Sequence, residues 1–326
     1  MYTWKELLEQ INNEIRNMAL DRKPEKLYAP IRYVLSLGGK RIRPVLMLLA
    51  YNLYKEDVSS IYAQALAIET YHNYTLLHDD LMDKADMRRG MPTVHKKWND
   101  NTAILSGDSM LVLAYQYMAK GESVRIKEVM DLFTETALEI GEGQQYDMDF
   151  ETRNDVTEDE YIEMIRLKTS VLLACALKIG AVMADAPAED AEVLYKYGEC
   201  VGLAFQLQDD YLDVYGDSAV FGKKTGGDIL CNKKTYLLIN ACQKADSSQL
   251  ADLEYWLGVR EGMYNPEEKI AAVTELYNQI GIRQLCEEKI KAYFDEAEQY
   301  LNQVQLPDTR KANLRAMVMS LFNRQS

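Results

Sequence analysis

Two segments of this chain gather carboxylates at helical spacing. "HDDLMDKADMRRG" (78 to 90) carries Asp79, Asp80 and Asp83, with Arg88 and Arg89 close behind, and "FQLQDDYLD" (205 to 213) carries Asp209, Asp210 and Asp213. On a helix Asp79 and Asp83 share a face one turn apart, and Asp209 and Asp213 repeat that geometry. Like charges at this spacing destabilise a bare helix by a few tenths of a kcal/mol. A divalent cation is the natural compensation, and an oxygen-only donor set favours magnesium or manganese over zinc. One such motif alone reads as a solvated acidic face. Two copies, each closing a strongly apolar helical segment, place the carboxylates at the mouth of a core instead.

Basic groups complete the chemistry. "GGKRIRP" (38 to 44) has two glycines suited to ending a helix, then Lys40, Arg41 and Arg43, with Pro44 suited to a helix start. Arginine grips phosphate oxygens with two parallel N–H groups, and lysine adds a point charge. With His72, Arg88, Arg89, Lys223 and Lys233, these cations accompany both carboxylate sets. The pattern suits two diphosphate groups, one held through metal and one held directly. "GDSAVFGKKTGGDILCNKK" (216 to 234) is too charged and glycine-rich for a core helix and reads as a functional loop.

The elements that position these groups should be helices. Only seven prolines interrupt 326 residues, and apolar residues recur at three- and four-residue spacing between them. The pattern predicts helices over 3–20, 25–37, 43–54, 59–83, 101–119, 124–149, 157–184, 188–214, 234–244, 247–258, 267–304 and 308–323. "SVLLACALKIGAVMA" (170 to 184) is apolar on more than one face and belongs in the middle of a bundle. With no linker or repeat dividing it, the chain reads as one all-α domain over 1–326.

Apolar residues make up 48% of the sequence, enough for a sizeable core, and the net charge of −14 argues against a nucleic-acid binder. Five cysteines without a C-x-x-C pair argue against a disulfide framework and for a reducing, cytoplasmic compartment. No apolar run approaches the roughly 18 residues of a membrane span. "MYTWKELLEQINNEI" has neither the basic head nor the apolar run of a signal peptide. No stable membrane anchor is expected.

"GGKRIRP", "HDDLMDKADMRRG", "LKTS", "FQLQDDYLD", "GKKTGGD" and "NKKTY" follow the order and spacing of the trans-isoprenyl diphosphate synthase (polyprenyl synthetase) family. The chain resembles its short-chain, farnesyl or geranylgeranyl diphosphate-forming members. The resemblance implies long helices around a deep central cavity, a homodimer, and head-to-tail condensation of isopentenyl diphosphate with an allylic diphosphate. It implies magnesium at Asp79 and Asp83 on one wall and Asp209 on the other, with Asp80, Asp210 and Asp213 completing the clusters. Lys40, Arg43, His72 and Arg89 then correspond to the isopentenyl diphosphate site. Arg88, Lys168, Lys223 and Lys233 correspond to the allylic diphosphate site, and Thr169 and Gln206 to polar groups beside the allylic cation. No side-chain nucleophile is required. Tyr74, five residues before Asp79, and Tyr71, nearly a turn deeper, would form the floor that stops chain growth.

Blander readings stand beside these. Thr169 and Gln206 also suit polar residues of a helix contact, and His72 a satisfied core histidine. A class I terpene cyclase shares the fold, but its second metal motif normally reads N/D-x-x-S/T-x-x-x-E and it has no use for "GGKRIRP". A non-catalytic regulatory subunit usually has degraded aspartate motifs, whereas both are intact here.

Overall fold

A computed structural model describes residues 1–121, 124–216, 225–260 and 262–322, so Lys223 lies outside the described residues. Contacts divide the chain into two compact units. The first comprises 1–135, 175–195 and 304–316, and the second 136–174, 196–303 and 317–326.

The first unit begins with α1 (Trp4–Arg16), opened by a capping box in which Thr3 Oγ1 accepts from Glu6 N at 3.3 Å and Glu6 accepts from Thr3 N at 2.7 Å. After α2 (Glu25–Ser36), α3 (Ile42–Asn52) is buried at every position except Arg43 and packs against α1 and α4 (Tyr62–Met82). The burial of α4 changes along its length. From Gln64 to Tyr71 every residue is buried; beyond that, burial narrows to Asn73, Leu77 and Asp80. Those three lie on one stripe at three- and four-residue spacing, so the last turns of α4 leave the core and show their other side. His72, Thr75 and Asp79 are on that partly exposed side.

A two-stranded hairpin follows (β1, Met87–Arg88; β2, Met91–Pro92), then α5 (Val94–Lys97), α6 (Asp100–Met118), which packs on α4, and the start of α7 (Ile126–Thr152). The hairpin is absent from the helical periodicity because its pairing is only two residues deep.

Arg41 departs from the expected basic turn. It adopts a left-handed conformation (φ 47°) that turns its side chain inward, where Nη1 meets Glu69 Oε1 at 2.6 Å and Nη2 donates to the Leu35 carbonyl at 2.6 Å. Asn73 Nδ2 donates to the same Glu69 oxygen at 2.8 Å. Removing one partner of a buried ion pair strands the other charge. Glu69→Ala is therefore expected to lower stability by about 3–5 kcal/mol, read as a lower urea midpoint; an unchanged midpoint would show that the pair contributes nothing.

The second unit holds the rest of α7, α8 (Glu158–Ile165), a π-turn (Arg166–Ser170), the start of α9 (Val171–Met183) and α10 (Ala188–Tyr215) from residue 196 onward. It continues through α11 (Gly227–Leu230), α12 (Tyr236–Lys244), α13 (Ser247–Gly258), α14 (Pro266–Ile280) and α15 (Ile282–Gln303), with the end of α16 (Asp308–Phe322). α12 packs against α8, α14 and α15 around Tyr161, Leu207, Leu237 and Cys286.

Two expected helices are revised. The span 157–184 is interrupted by the π-turn. The span 267–304 is two helices, because Gly281 at φ 87° caps the first in a left-handed conformation that a continuing helix excludes. Among the described residues no helix is long and apolar enough to cross a membrane, and no disulfide is formed.

Candidate active site

In the first unit the hairpin presents the arginine pair. Its two-residue turn, Arg89–Gly90, has positive φ at both positions (53° and 75°), the conformation that matches strand twist in tight hairpins. Thr93 closes the base through Oγ1 to the Ala85 carbonyl at 2.7 Å, and the Tyr33 hydroxyl donates to the Pro92 carbonyl at 2.7 Å. Arg88 Nε thereby reaches both carboxylate oxygens of Asp80 at 2.8 Å, while Nη2 lies 3.6 Å from Asp79 Oδ2. Burial raises the Asp80 carboxyl and Arg88 opposes that rise. The first motif therefore divides its work. Asp80, on the buried stripe of α4, orients Arg88, while Asp79 is half-buried and Asp83 exposed at the helix end.

Arg89 Nη1 donates to the Gly38 carbonyl, and its guanidinium lies against Gly39, where an added Cβ would stand 2.8 Å from Arg89 Cζ. Arg43 Nη1 is 3.2 Å from His72 Nε2. A guanidinium only donates, so Nε2 accepts and the ring proton sits on Nδ1. Burial, then Arg43, Arg89, Arg88 and Arg41, hold His72 well below its ordinary range, so the ring is neutral at pH 7. Burial also pulls the Arg43 guanidinium down to about 10, and its Nε is buried without a hydrogen-bond partner. Lys40 is exposed on the same turn.

In the second unit Lys168 and Thr169 sit on the π-turn, an irregularity often found at functional sites. Two glycines allow neighbouring helices to approach it: a Cβ at Gly143 of α7 would overlap the Lys168 backbone, and one at Gly202 of α10 would overlap Ser170. Lys168 Nζ meets Asp147 Oδ2 at 2.5 Å. Thr169 Oγ1 donates to Gln206 Oε1 at 3.1 Å, and Gln206 Nε2 donates to Asp210 Oδ1 at 2.9 Å. The Tyr161 hydroxyl donates to the other Asp210 oxygen. Burial pushes Asp210 up to about 7 against the pull of Lys233. Burial would lower Lys233 in turn, but Asp210, Asp228 and Asp147 carry its ammonium above the ordinary range.

The second motif thus divides like the first. Asp210 is buried and hydrogen-bonded to its neighbours, while Asp209 and Asp213 are half-buried, with Asp213 Oδ2 also accepting from Asp228 N at 2.9 Å. Asp147, Asp228 and Tyr161 were not singled out from sequence. "QQYDMDF" and "GGD" displayed the two carboxylates, but nothing local links Asp147 to a lysine 21 residues away.

Among the described residues no group of three His, Cys, Asp or Glu closes on one point. Each motif instead offers two partly exposed carboxylates one turn apart, with oxygen donors only. Magnesium commonly takes one or two carboxylates and completes its shell with water and phosphate, so the donor set fits it.

Tyr74 is half-buried, its ring 4.9 Å from His78 and 5.5 Å from Tyr71. Tyr71 is buried against Phe133 at 5.2 Å, and Phe133 lies 5.0 Å from Tyr115. His78, Tyr115 and Phe133 thus extend the expected tyrosine pair into an aromatic cluster.

The helical architecture is that of the type I isoprenoid synthases. One solved structure, of a geranylgeranyl pyrophosphate synthase, matches with a TM-score of 0.95 at 40% identity over 100% of both chains. Residues 24–280 match the polyprenyl synthetase model. A geranylgeranyl diphosphate synthase of Methanosarcina mazei is 44% identical over 247 residues, 73% of this chain and 76% of that one. The geranylgeranyl pyrophosphate synthase of Corynebacterium glutamicum, solved with isoprenyl diphosphate and magnesium, is 28% identical with a TM-score of 0.83, over 98% of this chain and 97% of that one. The chain belongs to the polyprenyl synthetase family, as a short-chain trans-isoprenyl diphosphate synthase. It is a prenyltransferase that condenses isopentenyl diphosphate with an allylic diphosphate, and catalysis in this family uses magnesium.

Proposed function

We propose that the whole chain acts as one domain that extends dimethylallyl, geranyl or farnesyl diphosphate to farnesyl or geranylgeranyl diphosphate. One observation carries the anion-binding part of this reading. In a protein of net charge −14, the guanidinium groups of Arg43, Arg89, Arg88 and Arg41 all act on His72, and Arg43 keeps a buried donor unused. A diphosphate would offset the crowded positive charge.

Lys40, Arg43, Arg89 and neutral His72 hold isopentenyl diphosphate. Arg88, oriented by Asp80, holds the allylic diphosphate together with Lys168 and Lys233; Lys223 is assigned to the same group. Asp79 and Asp83, with Asp209 and Asp213, would hold magnesium, which would supply positive charge against the departing diphosphate when bound. Lys168 and Lys233 supply donors to those same oxygens, where negative charge grows in the transition state. The Thr169 hydroxyl donates its hydrogen bond to Gln206, which leaves an Oγ1 lone pair for the allylic cation. The double bond of isopentenyl diphosphate then attacks, and the released diphosphate takes the proton.

The test is the purified chain with isopentenyl diphosphate, each starter and magnesium, read as diphosphate release and product mass. Failure to extend any starter would overturn the reading, and a cyclic hydrocarbon made without isopentenyl diphosphate would favour a cyclase. The similarity to geranylgeranyl diphosphate synthases favours the twenty-carbon product.

Arg89→Ala should mainly raise KM for isopentenyl diphosphate, because its phosphate contact forms on binding. A hydrogen bond to a charged group contributes about 1.5–3 kcal/mol, so the rise should be roughly ten- to a hundredfold. Were only the allylic KM to move, the division between the two sites would be reversed.

A homodimer is supported by Leu105 and Val112 of α6, which are 59% and 68% exposed despite their apolar side chains. A cytoplasmic setting is supported by a cysteine pattern without any C-x-x-C pair.

A further inference from the structure

Lys269, on α14, is 1% exposed, and among the described residues no carboxylate pairs with it. Its Nζ donates to Asn232 Oδ1 at 2.7 Å and to the Leu230 carbonyl at 3.4 Å, and lies 4.9 Å from the centre of the Tyr264 ring. Burial pulls this ammonium below its ordinary value. An apolar side chain of similar length would fill the same space without that cost. Packing alone therefore does not account for a lysine here; its hydrogen bonds must.

Those bonds grip the turn that leads into Lys233. Asn232 is left-handed (φ 56°), and while Lys269 holds the oxygen of its amide, the nitrogen donates to the Leu257 carbonyl at 3.1 Å. Both ends of the amide are thus tied to helices outside the turn. The next residue, Lys233, is held by its backbone N–H to the Asp228 carbonyl at 2.9 Å, and its ammonium faces the fields of Asp210, Asp228 and Asp147. α14 also braces the start of this segment, since a Cβ at Gly226 would run into Ile270.

We propose that Lys269 is a positioning residue for the condensation: by clamping Asn232 in its left-handed turn, it aims the Lys233 ammonium at the allylic diphosphate. The inference rests on the reading of Lys233 as a diphosphate-binding group. Lys269 lies outside every motif quoted from the sequence and acts only through its neighbour. Misplacing a catalytic group by about 1 Å can cost about a hundredfold in rate, so a clamp at this distance has a measurable effect.

A double-mutant cycle on the full chain tests it, with kcat and KM for both substrates measured for wild type, Lys233→Ala, Lys269→Met and the double variant. Lys233→Ala should lower kcat by about 10²–10³-fold, as loss of a donor to developing negative charge does. Lys269→Met should lower kcat roughly ten- to a hundredfold and leave KM for isopentenyl diphosphate within about twofold. In the Lys233→Ala background the same substitution should cost no more than about twofold, because its route of action is already gone. Full activity in Lys269→Met, or an equal loss in both backgrounds, would overturn the proposal. If Lys233→Ala were fully active, the reading of Lys233 would fall first and take the proposal with it. Should Lys269→Met not fold, Asn232→Gly takes its place in the cycle, since glycine keeps the left-handed turn and removes the group Lys269 holds.

Discussion

Asp79→Ala is expected to abolish turnover and leave the fold intact. Asp79 is half-buried on the side of α4 opposite the stripe formed by Asn73, Leu77 and Asp80, so truncating it opens no cavity in the core. Its contact with Arg88 is the longer of the two that hold that guanidinium, at 3.6 Å, and Asp80 keeps its two-oxygen grip at 2.8 Å. The hairpin therefore stays in place while one of two paired carboxylates is lost, and magnesium depends on few protein ligands. Circular dichroism and the urea midpoint should match wild type. Activity within about tenfold of wild type at saturating magnesium would sink the assignment, as would undiminished activity of the wild type in excess EDTA. Asp80→Ala should differ in kind. It removes both short bonds to Arg88, so its effect should include weaker binding of the allylic diphosphate.

Tyr74→Ala is expected to lengthen the main product by at least one isoprene unit. Tyr74 precedes Asp79 by five residues, about 7.5 Å along the helix axis, so it is the first full ring met by a tail running down beside α4. Thr75, on the same stripe as Asp79, is small and leaves the way open. The ring of Tyr74 is held edge-on by His78, and His78 is itself fixed by a 3.3 Å contact to the Ile104 carbonyl. Removing the tyrosine should therefore leave its neighbour standing and open space rather than collapse it. Tyr71 is different: it is buried and wedged against Phe133, so Tyr71→Ala should reduce stability while Tyr74 still blocks the tail. Chromatography of dephosphorylated products decides the matter. An unchanged product distribution from a folded, active Tyr74→Ala enzyme would put the floor elsewhere.

The helical class, the two carboxylate pairs and the basic turn were legible in the amino-acid sequence because each depends on spacing within a few residues. A turn of helix brings positions four apart together wherever that helix lies, so Asp79 with Asp83 and Asp209 with Asp213 could be read directly. What each neighbour does could not. Asp80 and Asp210 differ from Asp79 and Asp209 by a single position, yet they fall on buried stripes and bond to Arg88, and to Tyr161 and Gln206. Which stripe is buried depends on the helices packed against it, and no local pattern states that. Arg41 and Arg43 stand two residues apart in one basic turn, and a left-handed backbone at Arg41 sends its side chain to Glu69, while Arg43 goes to His72. The clamp of Lys269 on Asn232 joins residues 37 apart, and the pairing of Lys168 with Asp147 joins residues 21 apart. Residue types and their spacing set which groups were present and which local faces they shared. The tertiary structure alone decided which would be solvated and which would be satisfied by protein, because burial and hydrogen bonding belong to the packed whole.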